Sequence, residues 1–168
     1  MFLDRLREAG VGGLADVRRF PASRRHPHFN RESLEHTLPA AGVAYRWFEA
    51  LGGRRSATAE SSSPNGGLRV AGFRAYADYA LTPEFRAALD ELVAWAGDLA
   101  VAVCCAEALW WQCHRRIIAD HLVARGGRVI HLLHGGAEAP HELWDLARLT
   151  PDGPTYPPPQ PELSLGGR

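Results

Sequence analysis

The fold is decided by one stretch, residues 99–105, which reads LAVAVCC. An extended chain of this composition is apolar on both faces, and such strands occupy the centre of a parallel sheet because helices cover both sides. The remaining predicted strands lie at 12–18, 43–48 and 128–133, where the last reads RVIHLL. The predicted helices lie at 2–9, 31–41, 73–79, 82–96, 112–125 and, as a last short one, 141–149.

This order of elements predicts an α/β fold, because strands that alternate with helices form a mostly parallel sheet with helices on both faces. We therefore expect a three-layer, Rossmann-like domain with a sheet of about four strands. A length of 168 residues suggests one domain, which we place at 1–150. The Pro-rich tail at 151–168 has no core pattern and is expected on the surface or disordered. A Gly- and Ser-rich stretch at 51–67 predicts a long loop.

Composition excludes several classes of protein. All 19 basic residues are arginine and the net charge is zero, so lysine Schiff-base chemistry is impossible and no long-range field draws the chain to nucleic acid. The three cysteines are odd in number and clustered in the sequence, unlike a secreted disulfide framework.

No apolar run is long enough to span a bilayer, and the first residues do not form a signal peptide. A cytoplasmic protein without a membrane partner is expected. The P-loop, GxGxxG and GxSxG motifs are all absent.

The first candidate segment, Asp16 to Asn30, directly follows a predicted strand and contains DVRRFPASRRHPHFN. Because ligands bind at the carboxyl ends of parallel strands, its arginines could grip a phosphate or carboxylate. Asn30 is the predicted N-cap of the following helix, whose first N–H groups would add to an anion site. The predicted anion-binding residues here are Arg18, Ser23, Arg24 and Asn30. The alternative interpretation is a solvated basic loop.

Asp16 differs from the rest of this segment because it ends a predicted buried strand. A carboxylate in that position either pairs with an arginine, Arg18 or Arg115, or serves as a base, a nucleophile or an arginine-orienting group.

The second segment, Cys105 to Arg115, contains CAEALWWQCHR. Glu107 is expected to emerge at the sheet edge. Cys113, His114 and Arg115 are expected in the first turn of the next helix, where a thiol becomes more acidic. The predicted catalytic residues are Asp16, Glu107, Cys113 and His114, with Arg115 added to the anion site. A buried, inert cysteine is the alternative for Cys113. The spacing from Cys105 to Cys113-His114 is not a standard zinc motif, so no metal and no cofactor is predicted.

These motifs resemble the family of domain of unknown function 488. The resemblance rests on DVRRFPxSRRxPHFN, GVAYRWFxxLGGRR, CCAE with CHRRIIADHL, and VIHLL, and extends to the tail around LARLTPDGPTYPPPQPEL. It implies an α/β fold and no established activity. Members usually open with a short strand carrying a Gly-His-Ser type segment, whereas this chain begins at the first helix. Either the start of the sequence is mis-assigned or this strand is absent, and the absence of the strand would affect one edge of the sheet and part of the pocket. Within the motifs, the matching positions are Asp16, Arg18, Pro21, Ser23, Phe29, Asn30, Leu51, Gly52, Gly53, Cys105, Glu107, Cys113, His114 and Arg115.

Three functions remain open at this level. The favoured hypothesis is an enzyme acting on a phosphate-bearing substrate, a nucleotide or nucleic acid, held by the arginines and attacked at the Asp/Glu/Cys/His site. The alternatives are a non-catalytic module that binds nucleic acid or another anion, and a thiol or metal sensor built on Cys105 and Cys113. The sequence does not determine the oligomeric state.

Overall fold

A computed structural model describes residues 2–56 and 63–159 of the chain. The helices are α1 (Phe2–Glu8), α2 (Arg31–Ala40), α3 (Ala71–Ala80), α4 (Pro83–Ala96) and α5 (Arg115–Ala124). The strands are β1 (Gly13–Asp16), β2 (Ala44–Trp47), β3 (Val101–Cys104), β4 (Ile130–Leu132), β5 (Glu138–Pro140), β6 (Arg148–Thr150) and β7 (Gly153–Thr155). Short 3₁₀ turns lie at Pro27–Phe29, Glu49–Leu51, Trp110–Gln112 and His134–Gly136. The chain is therefore of mixed α/β class, as predicted.

The main sheet has three parallel strands in the order β2-β1-β3 among the described residues. Every residue of β1 is buried, whereas β3 is half-buried throughout. The prediction that LAVAVCC occupies the centre is therefore wrong, because β1 lies between the other two strands. A strand of uniform hydrophobicity is compatible with either position once helices cover it.

The predicted fourth parallel strand is also in a different place. β4 pairs antiparallel with β5, with Ile130 opposite Pro140, in a two-stranded sheet separate from the main one. The intervening turn carries Gly135 and Gly136, both with positive φ, which reverses the chain at once. The helix expected at 141–149 does not form. Residues 141–147 make loop and turn before β6, which pairs with β7 as a second antiparallel hairpin.

Two hydrophobic clusters cover the two faces of the main sheet, which makes three layers. On one face α1 and α2 pack through Leu6, Leu34 and Leu38 against Leu14. On the other, α3, α4 and α5 pack against Ala15 and the odd-numbered side of β3. Because successive strand residues point to opposite faces, Cys104 belongs to the α1–α2 face and Cys105 to the α3–α5 face.

Part of the predicted surface tail lies in the core instead. Tyr156 has no exposed surface, and its hydroxyl donates to Asp120 of α5 at 2.7 Å. An aromatic ring with a polar end is stably buried once that end finds a partner, which explains why a Pro-rich segment supplies a core residue. The end of that tail, 160–168, and residues 57–62 of the long loop lie outside the described residues.

The longest helix is α4, with 14 residues, and within the described ranges no helix combines the length and apolar character that crossing a bilayer requires.

Candidate functional site at the carboxyl edge of the sheet

The two segments singled out in the sequence leave the sheet at the same edge. Asp16 at the end of β1 lies opposite Cys104 at the end of β3. The alternation of side chains nonetheless divides them, because Asp16 and Cys104 face α1 and α2 whereas Cys105 faces α3 to α5. The edge therefore carries two polar groupings on opposite faces of the sheet.

Asp16 is completely buried and is held by three groups. Arg18 forms an ion pair with it, and Arg18 Nε donates to Oδ1 at 2.8 Å. The Arg18 backbone N–H donates to the same oxygen at 3.1 Å, and the Tyr45 hydroxyl donates to Oδ2 at 2.7 Å. Burial and this carboxylate raise the pKa of Tyr45 well above its ordinary range. The partner of Asp16 is thus Arg18 rather than Arg115.

Other polar groups of the predicted anion-binding loop form hydrogen bonds within the loop. Arg18 also donates to the Phe29 carbonyl at 2.7 Å. The Asn30 side-chain oxygen accepts from Ser23 N at 2.5 Å. Asn30 does occupy the N-cap position of α2, but its side chain makes no capping hydrogen bond. The expected capping contact is absent because that oxygen binds the loop instead.

Arg24 differs from the other predicted anion-binding residues of the loop because it is exposed. The backbone N–H of Arg31, the first of α2, was expected to bind an anion. It donates instead to the Pro21 carbonyl at 2.9 Å. The loop is therefore preorganised, but its exposed cations are Arg24 and the neighbouring Arg25, whereas Arg18 is buried and paired with Asp16.

Four residues meet on the other face of the edge, and we call them the strand-end cluster: Cys105, Cys113, His114 and Arg115. The Cys105 and Cys113 sulfurs are 2.8 Å apart. The Cys113 sulfur is also 3.4 Å from Nδ1 of His114. Arg115 Nε donates to the same sulfur at 3.5 Å. Cys113 is buried, whereas Cys105 is partly exposed.

The imidazole of His114 is fixed from three sides. Its Nε2 lies 2.9 Å from the carbonyl of Val17, which follows β1. Its ring packs on Tyr76 with centroids 4.9 Å apart. A Cβ on Gly53 would come within 2.9 Å of Nδ1, so a glycine is required where the 52–53 segment closes over the ring. The hydrogen bond to Val17 is the direct link between the two predicted segments.

The sulfurs of Cys105 and Cys113 are hydrogen-bonded to each other, and this contact shifts the pKa values of the two thiols in opposite directions. The hydrogen bond from Cys105 is the largest cause that lowers the pKa of Cys113, while burial acts in the opposite direction. The same hydrogen bond, with burial, raises the pKa of Cys105. Cys104 lies on the opposite face of the sheet, and burial raises its pKa to about 11. Cys113 is thus the most acidic of the three thiols.

Glu107 and Arg115 form the outer part of the site. The Glu107 backbone N–H donates to the Cys105 sulfur at 3.2 Å, and its carbonyl accepts from Arg115. The Glu107 side chain is exposed. The guanidinium of Arg115 therefore joins the end of β3 to the start of α5, while the Glu107 carboxylate stays in solvent.

A buried polar network that the sequence analysis missed lies beside this site. Asp120 Oδ1 accepts from His141 Nε2 at 2.8 Å, and His141 Nδ1 is 2.9 Å from His131 Nε2. The half-buried Trp110 stacks on His131 at 3.6 Å between centroids, whereas Trp111 is 41% exposed. Asp120 is the residue in the sequence that could have indicated this network, because it lies on the same face of α5 as Ile117 and His121.

Two open grooves on the surface lie away from the strand-end cluster. One of about 540 Å³ runs between α2, β2 and α4 and is lined by Arg31, Arg46, Glu84 and Glu91 among others. Another of about 370 Å³ lies beside Pro21 and Asn30. Both are open and lined by mixed charges. We place the candidate site at the strand-end cluster because convergent thiols, an imidazole and a guanidinium are chemically informative, whereas an open groove is not.

Comparison with known proteins gives one match. A family model described as "Domain of unknown function DUF488" matches residues 1–122. This range includes both predicted segments and ends before β4, so it is shorter than the resemblance to the tail implied. No curated protein and no solved structure matches the chain.

Proposed function

The chain belongs to the DUF488 family, and since membership brings no activity with it, we propose from the site geometry that it is a cytoplasmic enzyme acting on a phosphate-bearing substrate, a nucleotide or nucleic acid. The observation that carries this proposal is the convergence of Cys105, Cys113, His114 and Arg115 where parallel strands end. That edge is where ligands bind in open α/β sheets.

The roles divide according to exposure. Arg115 and the exposed Arg24 are the cations offered to a phosphate, the first at the cluster and the second on the loop that leaves the same edge. Glu107 supplies the acid–base carboxylate, because it is exposed beside the cluster. Asp16 acts as a positioning residue that holds Arg18 and through it the loop. Cys113 and His114 form the floor of the site.

The proposal is tested by screening the full chain against nucleoside phosphates, single-stranded RNA and DNA, and a chromogenic phosphodiester. We expect turnover that falls about 100-fold or more in Glu107→Gln, since a general acid–base group contributes on the order of 10²–10⁴-fold. The matched control is Glu91→Gln, which removes an exposed carboxylate from α4 and should leave turnover unchanged. If Glu107→Gln keeps the turnover of the parent protein, Glu107 takes no part in the reaction.

A second candidate function, a non-catalytic nucleic-acid-binding module, is favoured by one observation. Phe20 is 67% exposed and lies between the arginines of the basic loop. Exposed aromatic rings next to cations stack on the bases of single strands. Tight binding of single-stranded RNA or DNA that is lost in Phe20→Ala, with no turnover of any substrate, would support this module and contradict the enzyme.

A further inference from the structure

The strand-end cluster brings together three side-chain atoms of types that bind metal ions. The sulfurs of Cys105 and Cys113 and a ring nitrogen of His114 all lie within 4.8 Å of one another. We propose that these three residues bind one zinc ion. The proposal goes beyond the enzymatic function above, because metal binding is a property of the chain that needs no substrate.

The tautomer of His114 is the first argument. A carbonyl oxygen can only accept, so the 2.9 Å contact with Val17 O requires the proton to be on Nε2. Nδ1 then carries the lone pair, and it is directed at the Cys113 sulfur 3.4 Å away. Histidines that bind metal commonly donate their other N–H to a backbone carbonyl or carboxylate in this way. A pair of cysteines acting alone would not need an imidazole held in this orientation.

The donor set is the second argument. Two thiolates and an imidazole select zinc or another soft to borderline metal over magnesium or calcium. On binding, each thiol releases its proton to solvent, and the two thiolate charges neutralise the dication. The 3.5 Å hydrogen bond from Arg115 Nε to the Cys113 sulfur supports a thiolate there. The sulfurs, 2.8 Å apart, must separate by about 1 Å to reach the spacing of two thiolates on a tetrahedral ion.

The third argument is how the ligands are held. Cys105 follows β3, and Cys113 and His114 immediately precede α5, so two rigid elements bring the donors together. Tyr76 and Gly53 confine the imidazole. The described part of the chain provides three ligand atoms here, and zinc sites with three protein ligands keep the fourth position for water or substrate.

The position of Glu107 agrees with such an open site. It lies two residues after Cys105 and its carboxylate is exposed. A set of one histidine and two cysteines with a nearby glutamate that is not a ligand is used by zinc deaminases, where the glutamate moves protons for a zinc-bound water. With zinc bound, the cluster would supply a Lewis acid to the proposed enzyme, and Glu107 would move protons to and from a zinc-bound water.

The test measures metal in the full chain, purified under reducing conditions without chelator. We expect one zinc per chain by elemental analysis, and after replacement by cobalt the charge-transfer band of Co–thiolate bonds together with the visible bands of a tetrahedral ion. Thiol titration should find Cys105 and Cys113 protected by zinc and released by a chelator.

The variants make the assignment specific to the cluster. Cys105→Ser and His114→Gln should each lower zinc affinity at least 10-fold and weaken or shift the cobalt spectrum. The matched control is Cys104→Ser, which alters the adjacent cysteine on the opposite face of the sheet and should leave zinc at one per chain. Cys105 is partly exposed and serine is similar to it in size, so we expect Cys105→Ser to fold. Circular dichroism of each variant verifies that it is folded.

Three outcomes would overturn the proposal. The first is a folded protein that stays metal-free with added zinc, and the second is a disulfide between Cys105 and Cys113 that forms after the reductant is removed although zinc is present. The third is zinc that persists in both cluster variants or is lost in Cys104→Ser. None of them involves turnover, so the enzyme proposal is tested separately by Glu107→Gln.

Discussion

At the scale of single residues, the informative feature is the ion pair between Asp16 and Arg18. Both side chains are buried, at 0% and 9% exposure, and removing one partner of a buried pair leaves the other charge uncompensated. The Asp16 carboxylate therefore has a structural role. It connects β1 to β2 through Tyr45, and it connects β1 to the arginine-rich loop that ends at Asn30 through Arg18.

We predict that Asp16→Asn lowers the free energy of unfolding by about 3–5 kcal/mol, the usual cost of breaking a buried pair on one side. Urea denaturation of the two proteins measures it. The matched control is Glu35→Gln, because Glu35 pairs with Arg31 at 2.6 Å in an exposed position, where such pairs contribute about 1 kcal/mol or less. Equal losses in the two variants would contradict a structural role for Asp16.

At the scale of elements, the hairpin of β6 and β7 is held against α5. Gly153 has a φ of +126°, and a Cβ there would lie 2.5 Å from the His121 ring. Tyr156, just beyond β7, binds Asp120 of the same helix. This close approach explains how a Pro-rich segment after residue 150 becomes part of the core.

We predict that Gly153→Ala lowers the free energy of unfolding by about 2 kcal/mol or more, from backbone strain and overpacking together. Thermal and urea unfolding measure the change. Gly72→Ala is the control, since Gly72 lies in α3 with nothing within 4 Å of the added Cβ. Alanine is the better helix former, so the control should be neutral or stabilising. A harmless Gly153→Ala would show that the hairpin does not sit tightly on α5.

At the scale of the whole molecule, the buried histidines make the fold sensitive to acid. His121 is 1% exposed, and burial, followed by the charge of Arg125, lowers its pKa from 6.5 to about 4, against the opposing effect of Asp120. The unfolded chain therefore takes up this proton at a higher pH than the folded chain does. Stability from His121 is complete above pH 6.5 and is lost as the pH falls toward 4.

We predict that the free energy of unfolding of the parent falls between pH 6.5 and pH 4 and that His121→Leu makes this fall shallower by a few kcal/mol. Denaturant unfolding at several pH values measures the slope. His134→Leu is the control, because His134 is exposed and should leave the slope as it is. A parent-like slope in His121→Leu would contradict the assignment.

The local elements were predictable because they depend on short-range physics. Thr82 caps α4, with its hydroxyl accepting from Phe85 N and Pro83 in the first turn, as the Thr-Pro dipeptide indicates. The meeting of Asp16 and Cys104 at one edge also follows from the sequence, since parallel strands end together. The pairing of β4 was not predictable, because RVIHLL suits a parallel neighbour and an antiparallel one equally well.

The sequence by itself determined the α/β class, the family and the meeting of two polar segments at one edge of the sheet, because periodicity and motifs act over a few residues. Only the tertiary structure decided which side chains meet. The period of two along β1 and β3 sends Asp16 to one face and Cys105 to the other, and the packing of α5 brings Cys113 and His114 to Cys105. Such contacts depend on strand order and helix placement, which long-range packing sets and no local pattern encodes.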